Sequence, residues 1–177
     1  MKKIIAISST HGTGKTFLAY NLCIFLKKQG KNVIVLDELA RESPFTINTG
    51  ADDNTQVWLQ CKQVVRELEL MDKYEYVITD RSVLDAFCYG KVLDKPGTHW
   101  TYTYLEKFLV EHIKKYYHKL YLLDIDHFNY NVEDGVRDTD ETFRRNVFNQ
   151  LVNTFTDNAL ECSLIRNDSD IYSDFTN

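Results

Sequence analysis

One stretch of this chain restricts its fold more than any other: Ser9-Thr10-His11-Gly12-Thr13-Gly14-Lys15-Thr16. Before it lies a continuous apolar run, Lys3 to Ser8, as expected of a strand buried on both faces of a parallel sheet. After it, Lys15 to Gln29 carries Phe17, Leu18, Leu22, Phe25 and Leu26 at helical spacing, and Gly30 ends the pattern. A strand, a glycine-containing turn and a helix with Gly-Lys-Thr at the junction form the context of a phosphate-binding loop. Such a turn points successive backbone N–H groups into one concavity, and the helix N-terminus adds a dipole that favours phosphate. His11, Gly12, Thr13, Gly14, Lys15, Thr16 and Phe17 are the expected nucleotide contacts. Lys15 would reach the β- and γ-phosphates of ATP, and the Thr16 hydroxyl would ligate Mg²⁺. Ser9 stands where the motif usually has its first glycine; ordinary backbone angles there would suffice, because Gly12 and Gly14 keep their freedom nearer the phosphates.

The rest of the chain alternates strands and helices. Asn32–Asp37 reads as a second buried strand, and Arg41–Asn54, with Pro44 and Gly50, as a loop. Gln56–Lys73 reads as a helix with Val57, Cys61, Val64, Val65, Leu68 and Met71 on its apolar stripe. Tyr76–Thr79 is a third strand ending at Asp80-Arg81, followed by a helical piece from about Ser82 and another helix from about Tyr102 to Tyr117. Leu120–Leu123 is a fourth strand, Asp140–Leu160 a helix and Cys162–Ile165 a last short strand before a polar tail. This alternation predicts an α/β fold, a parallel sheet with helices on both faces and right-handed crossovers, in one domain over residues 1–177.

Composition narrows the partners. The net charge is −5 and the pI about 5.5, a balance that argues against a nucleic-acid backbone as ligand, since each neutralised phosphate needs Lys or Arg. A local basic patch stays open. The four cysteines show no CxxC pair and no metal-ligand spacing. Cys23 and Cys61 fall in helical stretches and read as small core residues, and all four as reduced thiols. No segment approaches the length of a membrane span, so a cytoplasmic protein is expected. A homodimer is left open.

Ligands of open parallel sheets bind outside the carboxyl ends of the strands. The first strand ends in the phosphate loop, the second at Asp37-Glu38 with Arg41 close behind, and the third at Asp80-Arg81-Ser82 with Asp85 next. Phosphoryl transfer needs a carboxylate that organises the metal, a group that accepts or orients the acceptor proton, and cations that stabilise the transferred group. Asp80 is the candidate for holding Mg²⁺ through water, Glu38 for the general base and Arg81 for fixing the acceptor. Each has a plain alternative: Glu38 as a solvated charge, Asp80 and Arg81 as an ion pair at a strand end. Arg41, Gln60 and Asp85 are further acceptor candidates, with Gln56, Trp58 and Tyr89 as material for reading and stacking a base. Arg137 lies in a polar loop that could close over the phosphates as a lid spanning about 126–145. Of the neighbouring pair Arg144 and Arg145, at most one is expected to reach the site.

Gly12-Thr13-Gly14-Lys15-Thr16, Asp37-Glu38-Leu39-Ala40-Arg41 and Thr79-Asp80-Arg81-Ser82-Val83-Leu84-Asp85 together resemble the NadR-type AAA-like ATPase/kinase domain, grouped with thymidylate and deoxynucleoside kinases. The resemblance implies a P-loop NTPase three-layer α/β/α sandwich with a five-stranded parallel sheet of order 2-3-1-4-5. It also implies transfer of the ATP γ-phosphate to a nucleoside, nucleotide or nicotinamide riboside. Glu38 matches the base that follows the second strand in the deoxynucleoside kinases, and Asp80-Arg81-Ser82 their acidic-Arg-Ser motif. Three functions remain in competition: a small-molecule kinase, a kinase acting on a nucleic-acid end or base, and an ATPase switch with no kinase acceptor. The set Glu38, Asp80, Arg81 and Arg137 favours the first.

Overall fold

Why the first strand is apolar at every position is plain from its place in the sheet. In the computed structural model, which describes residues 3–47, 51–93, 99–128 and 141–176, β1 (Ile4–Ser8) is central and buried throughout. Together with β2 (Val33–Leu36), β3 (Tyr76–Asp80), β4 (Tyr117–Leu123) and β5 (Ser163–Ile165) it forms a parallel sheet of order β2-β3-β1-β4-β5. Both the α/β class and the strand order match the expectation.

Side chains alternate along β1. Ile5 and Ile7 face α1 (Lys15–Lys28) and the C-terminal α6 (Asp168–Ser173), meeting Leu18, Leu22, Leu26 and Ile171. Ile4 and Ala6 face the other layer, built from α2 (Asp53–Met71), α3 (Val83–Leu93), α4 (His99–Tyr116) and α5 (Glu141–Asp157). Phe87 of α3, fully buried there, contributes about 1.5–3 kcal/mol by leaving water.

Three local readings of the sequence change. The loop after β2 is shorter than expected: a 3-10 turn covers Leu39–Glu42, and α2 begins at Asp53. Asp52 caps it, its carboxylate accepting the Thr55 N–H at 2.9 Å while Thr55 Oγ1 accepts the Asp52 N–H at 3.4 Å. The polar tail contains α6, whose start is closed by Asn167 and Asp170. The third change is the orientation of α2. Val57, Cys61, Val65 and Leu68 are exposed, and Cys61 is therefore not a core residue. The face turned inward carries Gln56, Gln60, Val64 and Glu67. Cys23 is buried as expected. No helix among the described residues is long and apolar enough to cross a membrane.

Candidate functional site

The loop between β1 and α1 turns through two left-handed glycines, Gly12 at φ 71° and Gly14 at φ 76°, conformations that a Cβ would oppose. Ser9 is not among the residues at positive φ, so the missing first glycine costs the loop nothing in backbone strain. The Ser9 hydroxyl donates to the Leu123 carbonyl at 2.9 Å and ties the loop to the end of β4. Lys15 is buried, with Nζ 2.5 Å from the Thr10 carbonyl and 3.4 Å from Thr13 Oγ1. Burial, reinforced by repulsion from Arg81, brings its pKa down from 10.5 to about 8. Thr16 Oγ1 donates to Asp80 Oδ2 at 2.5 Å, so a hydroxyl from α1 and a carboxylate from β3 meet at the mouth of the loop. Phe17 points its ring outward, 60% exposed, so only its backbone N–H is placed near the cradle by its position in the first turn of α1.

Two residues from the helical layer hold the loop from below. The Tyr89 hydroxyl of α3 accepts the His11 backbone N–H at 2.8 Å and lies 3.1 Å from His11 Nδ1. Arg144 of α5 is buried and donates through Nε to the His11 carbonyl at 3.3 Å, with Nη1 on Glu141 at 2.7 Å. Its neighbour Arg145 is exposed and pairs with Asp126 and Glu141. One member of the arginine pair therefore reaches the site and one does not.

Beside the loop opens a cleft whose empty space, open mouth included, is about 660 Å³. Glu38, Asp80 and Arg81 line it together with Leu39, Ile47, Leu59, Leu93 and the Tyr89 ring. The Arg81 Nε donates to Glu38 Oε1 at 2.7 Å, and its guanidinium carbon lies 5.1 Å from the centre of the Tyr89 ring. Gln56 also lines the cleft, and its buried Oε1 has no hydrogen-bond partner among the described residues.

The Arg81 guanidinium holds Glu38 ionised, pulling its pKa from 4.5 to about 2 against the opposing effect of burial. A carboxyl with a depressed folded-state pKa stabilises the fold above its unfolded pKa and loses that contribution as pH falls through the folded value. Stability should therefore decline from about pH 4.5 toward pH 2 in part through this group. Urea unfolding of Glu38→Gln across that range should give a shallower dependence than the parent. Parallel curves would remove Glu38 from the account.

Several expected acceptor residues sit elsewhere. Asp85 is fully buried behind the cleft, and its carboxylate is taken up by Ser8 Oγ at 2.6 Å, Ser82 Oγ at 2.6 Å and Ser82 N at 2.9 Å. It braces the ends of β1 and β3 and has no face toward a ligand. Gln60 is buried one turn beyond Gln56, outside the cleft lining, with neither amide atom hydrogen-bonded among the described residues. Arg41 is exposed on the 3-10 turn, outside the lining. Arg137 and most of the expected lid, residues 129–140, lie outside the described residues. Sequence reasoning missed Gln63, which lines the cleft and donates to the Arg81 carbonyl at 2.9 Å; its only signal was its place on the inward face of a helix expected to face the other way.

The AAA_28 family of AAA domains matches residues 4–170. The chain belongs to this AAA-domain family. No curated protein matches it. Among solved structures, this AAA-family chain is similar to thymidylate kinase from Ehrlichia chaffeensis, with TM-score 0.67 at 16% identity over 99% of each chain. It is also similar to thymidylate kinase from Candida albicans, with TM-score 0.65 at 12% identity over 98% of this chain and 89% of the other. At such identities the likeness establishes a shared fold.

Proposed function

We propose that the protein is an ATP-Mg-dependent kinase that transfers the γ-phosphate to a hydroxyl or phosphate of a nucleoside- or nucleotide-like small molecule. The observation that carries this reading is the Glu38–Arg81 pair, 2.7 Å apart, lining a cleft that opens beside the phosphate loop. An ATPase that only hydrolyses has no need of a second chamber with a carboxylate and a guanidinium at its junction with the first. The thymidylate kinases that share the fold support an acceptor of nucleotide-like size.

The residues fit the roles. The loop amides and Lys15 bind and orient the triphosphate. Thr16 Oγ1 and Asp80 Oδ2 are hard oxygen donors already side by side, suited to holding Mg²⁺ directly or through water; when bound, the ion neutralises charge on the β- and γ-phosphates. Glu38, ionised and weakly basic, accepts a hydrogen bond from the acceptor hydroxyl and holds it in line. Phosphoryl transfer asks mainly for positioning and charge stabilisation, so a weak base placed well is adequate. Arg81 fixes the acceptor, and Arg137 is the proposed lid arginine.

The test is ATP consumption against nucleosides, nucleoside monophosphates, nicotinamide riboside and short oligonucleotides, with product masses read directly. A phosphorylated small molecule is expected. Slow hydrolysis with no phosphorylated product would overturn the kinase reading in favour of a nucleotide switch, and a phosphorylated oligonucleotide would move the acceptor to nucleic acid.

A further inference from the structure

Arg81 is at φ 104°, a region where an L side chain crowds the backbone at a cost on the order of 1–3 kcal/mol. Such a conformation persists only where the surroundings hold it. Its N–H continues the sheet by donating to the Ile7 carbonyl at 3.1 Å. Its carbonyl leaves the sheet and is met by Gln63 Nε2 at 2.9 Å. The same Gln63 nitrogen gives its second hydrogen to Glu67 Oε1 at 3.0 Å, which fixes the amide with its nitrogen toward Arg81. Glu67, one turn along α2, is fully buried. The Tyr117 hydroxyl donates to its Oε1 at 3.0 Å and accepts the Val83 N–H at 3.0 Å, while His112 Nε2 of α4 lies 2.7 Å from its Oε2.

This network is an expensive way to fill a core. Well-packed apolar side chains are often as stabilising as a buried ionic cluster or more so, and a helix that turns glutamines and a glutamate inward gives up apolar burial. The network instead joins three helices and a strand to one backbone atom, the carbonyl of the strained arginine. We propose that Gln63, Glu67 and His112 are positioning residues that hold Arg81 in the left-handed conformation from which its guanidinium meets Glu38 at the acceptor cleft. The inference rests on the reading of Arg81 as an acceptor-side group.

Gln63→Met tests it, since methionine keeps the length and volume of the side chain and removes the donor. Three readouts separate positioning from packing. In a crystal structure of the variant, Arg81 is expected to leave positive φ and its contact with Glu38 to break. Titration with a fluorescent ATP analogue is expected to give an affinity within about twofold of the parent, because the Gln63 amide bonds to Arg81 and Glu67 and not to the phosphate loop. With the acceptor phosphorylated in the panel above, kcat/KM should fall on the order of 10- to 100-fold, the size of effect that a misplaced group near 1 Å produces, while KM for ATP holds. Glu67→Gln, which replaces the carboxyl group that accepts from Gln63 with an amide, should shift the same readouts in the same direction, and it decides the matter if the methionine variant does not fold. Arg81 unchanged in position, or a loss of ATP affinity equal to that of acceptor turnover, would overturn the proposal. If the parent phosphorylates nothing, the kinase reading fails and the position of Arg81 in the variant crystal still decides whether Gln63 holds it.

Discussion

Alanine at Lys15 is expected to lower ATP turnover on the order of 10²–10³-fold, the loss typical of removing one preorganised donor from a developing anion. The ammonium is a buried cation within the phosphate loop's own motif, and its neighbours are arranged to receive negative charge around it: Gly12 and Gly14 are left-handed, and α1 begins at Lys15 itself. Burial already costs this ammonium part of its protonation, with a pKa of about 8. Phosphate beside it would restore the charge, so binding ATP and protonating Lys15 should reinforce each other. Steady-state ADP release and titration with a fluorescent ATP analogue measure the effect, and both should fail in the variant. Turnover at the parent rate would remove the loop from the chemistry and with it the assignment of the nucleotide site.

The second large effect belongs to Glu38. Glu38→Gln is expected to slow phosphoryl transfer about 10²–10⁴-fold, the usual value of a group that handles the acceptor proton, with ATP affinity little changed. Two consequences of the substitution combine: the acceptor hydroxyl loses the carboxylate that orients it, and Arg81 loses the partner that sets its direction. Glu38→Asp separates them, because the shorter carboxylate can keep the charge pair with Arg81 while withdrawing from the acceptor. Single-turnover product formation is the readout. An equal loss of ATP affinity would place Glu38 with the nucleotide or the fold.

The parallel sheet was legible because each strand is buried on both faces and so reads as an unbroken apolar run, β1 being the clearest case. The phosphate loop was legible because its chemistry is local: glycine, lysine and threonine act within one turn of one another. Glu38, Asp80 and Arg81 were grouped by the rule that ligands gather at strand ends, and the three line one cleft. What failed was the orientation of α2. Periodicity identifies a helix with two unlike faces but assigns the apolar one inward by default, and here hydrogen bonds from Gln63, His112 and Tyr117 make burial of Glu67 tolerable. The surroundings of Asp85 were not legible either: a carboxylate just beyond a strand end can serve a ligand or the chain's own groups, and here the Ser8 and Ser82 hydroxyls donate to it. The burial of Arg144 and exposure of Arg145 likewise depend on how α5 lies against the loop.

The Tyr89 phenol belongs to two compartments at once. Its ring walls the acceptor cleft, and its oxygen accepts a backbone N–H of the phosphate loop at His11, 2.8 Å away. A ligand that displaces this oxygen from either side alters the other side, and thermodynamic reciprocity fixes the sizes of the two effects as equal. Whatever factor the acceptor imposes on the dissociation constant of ATP, ATP must impose on that of the acceptor. In the kinase proposed above, a single aromatic side chain would thus couple the affinities of the two substrates.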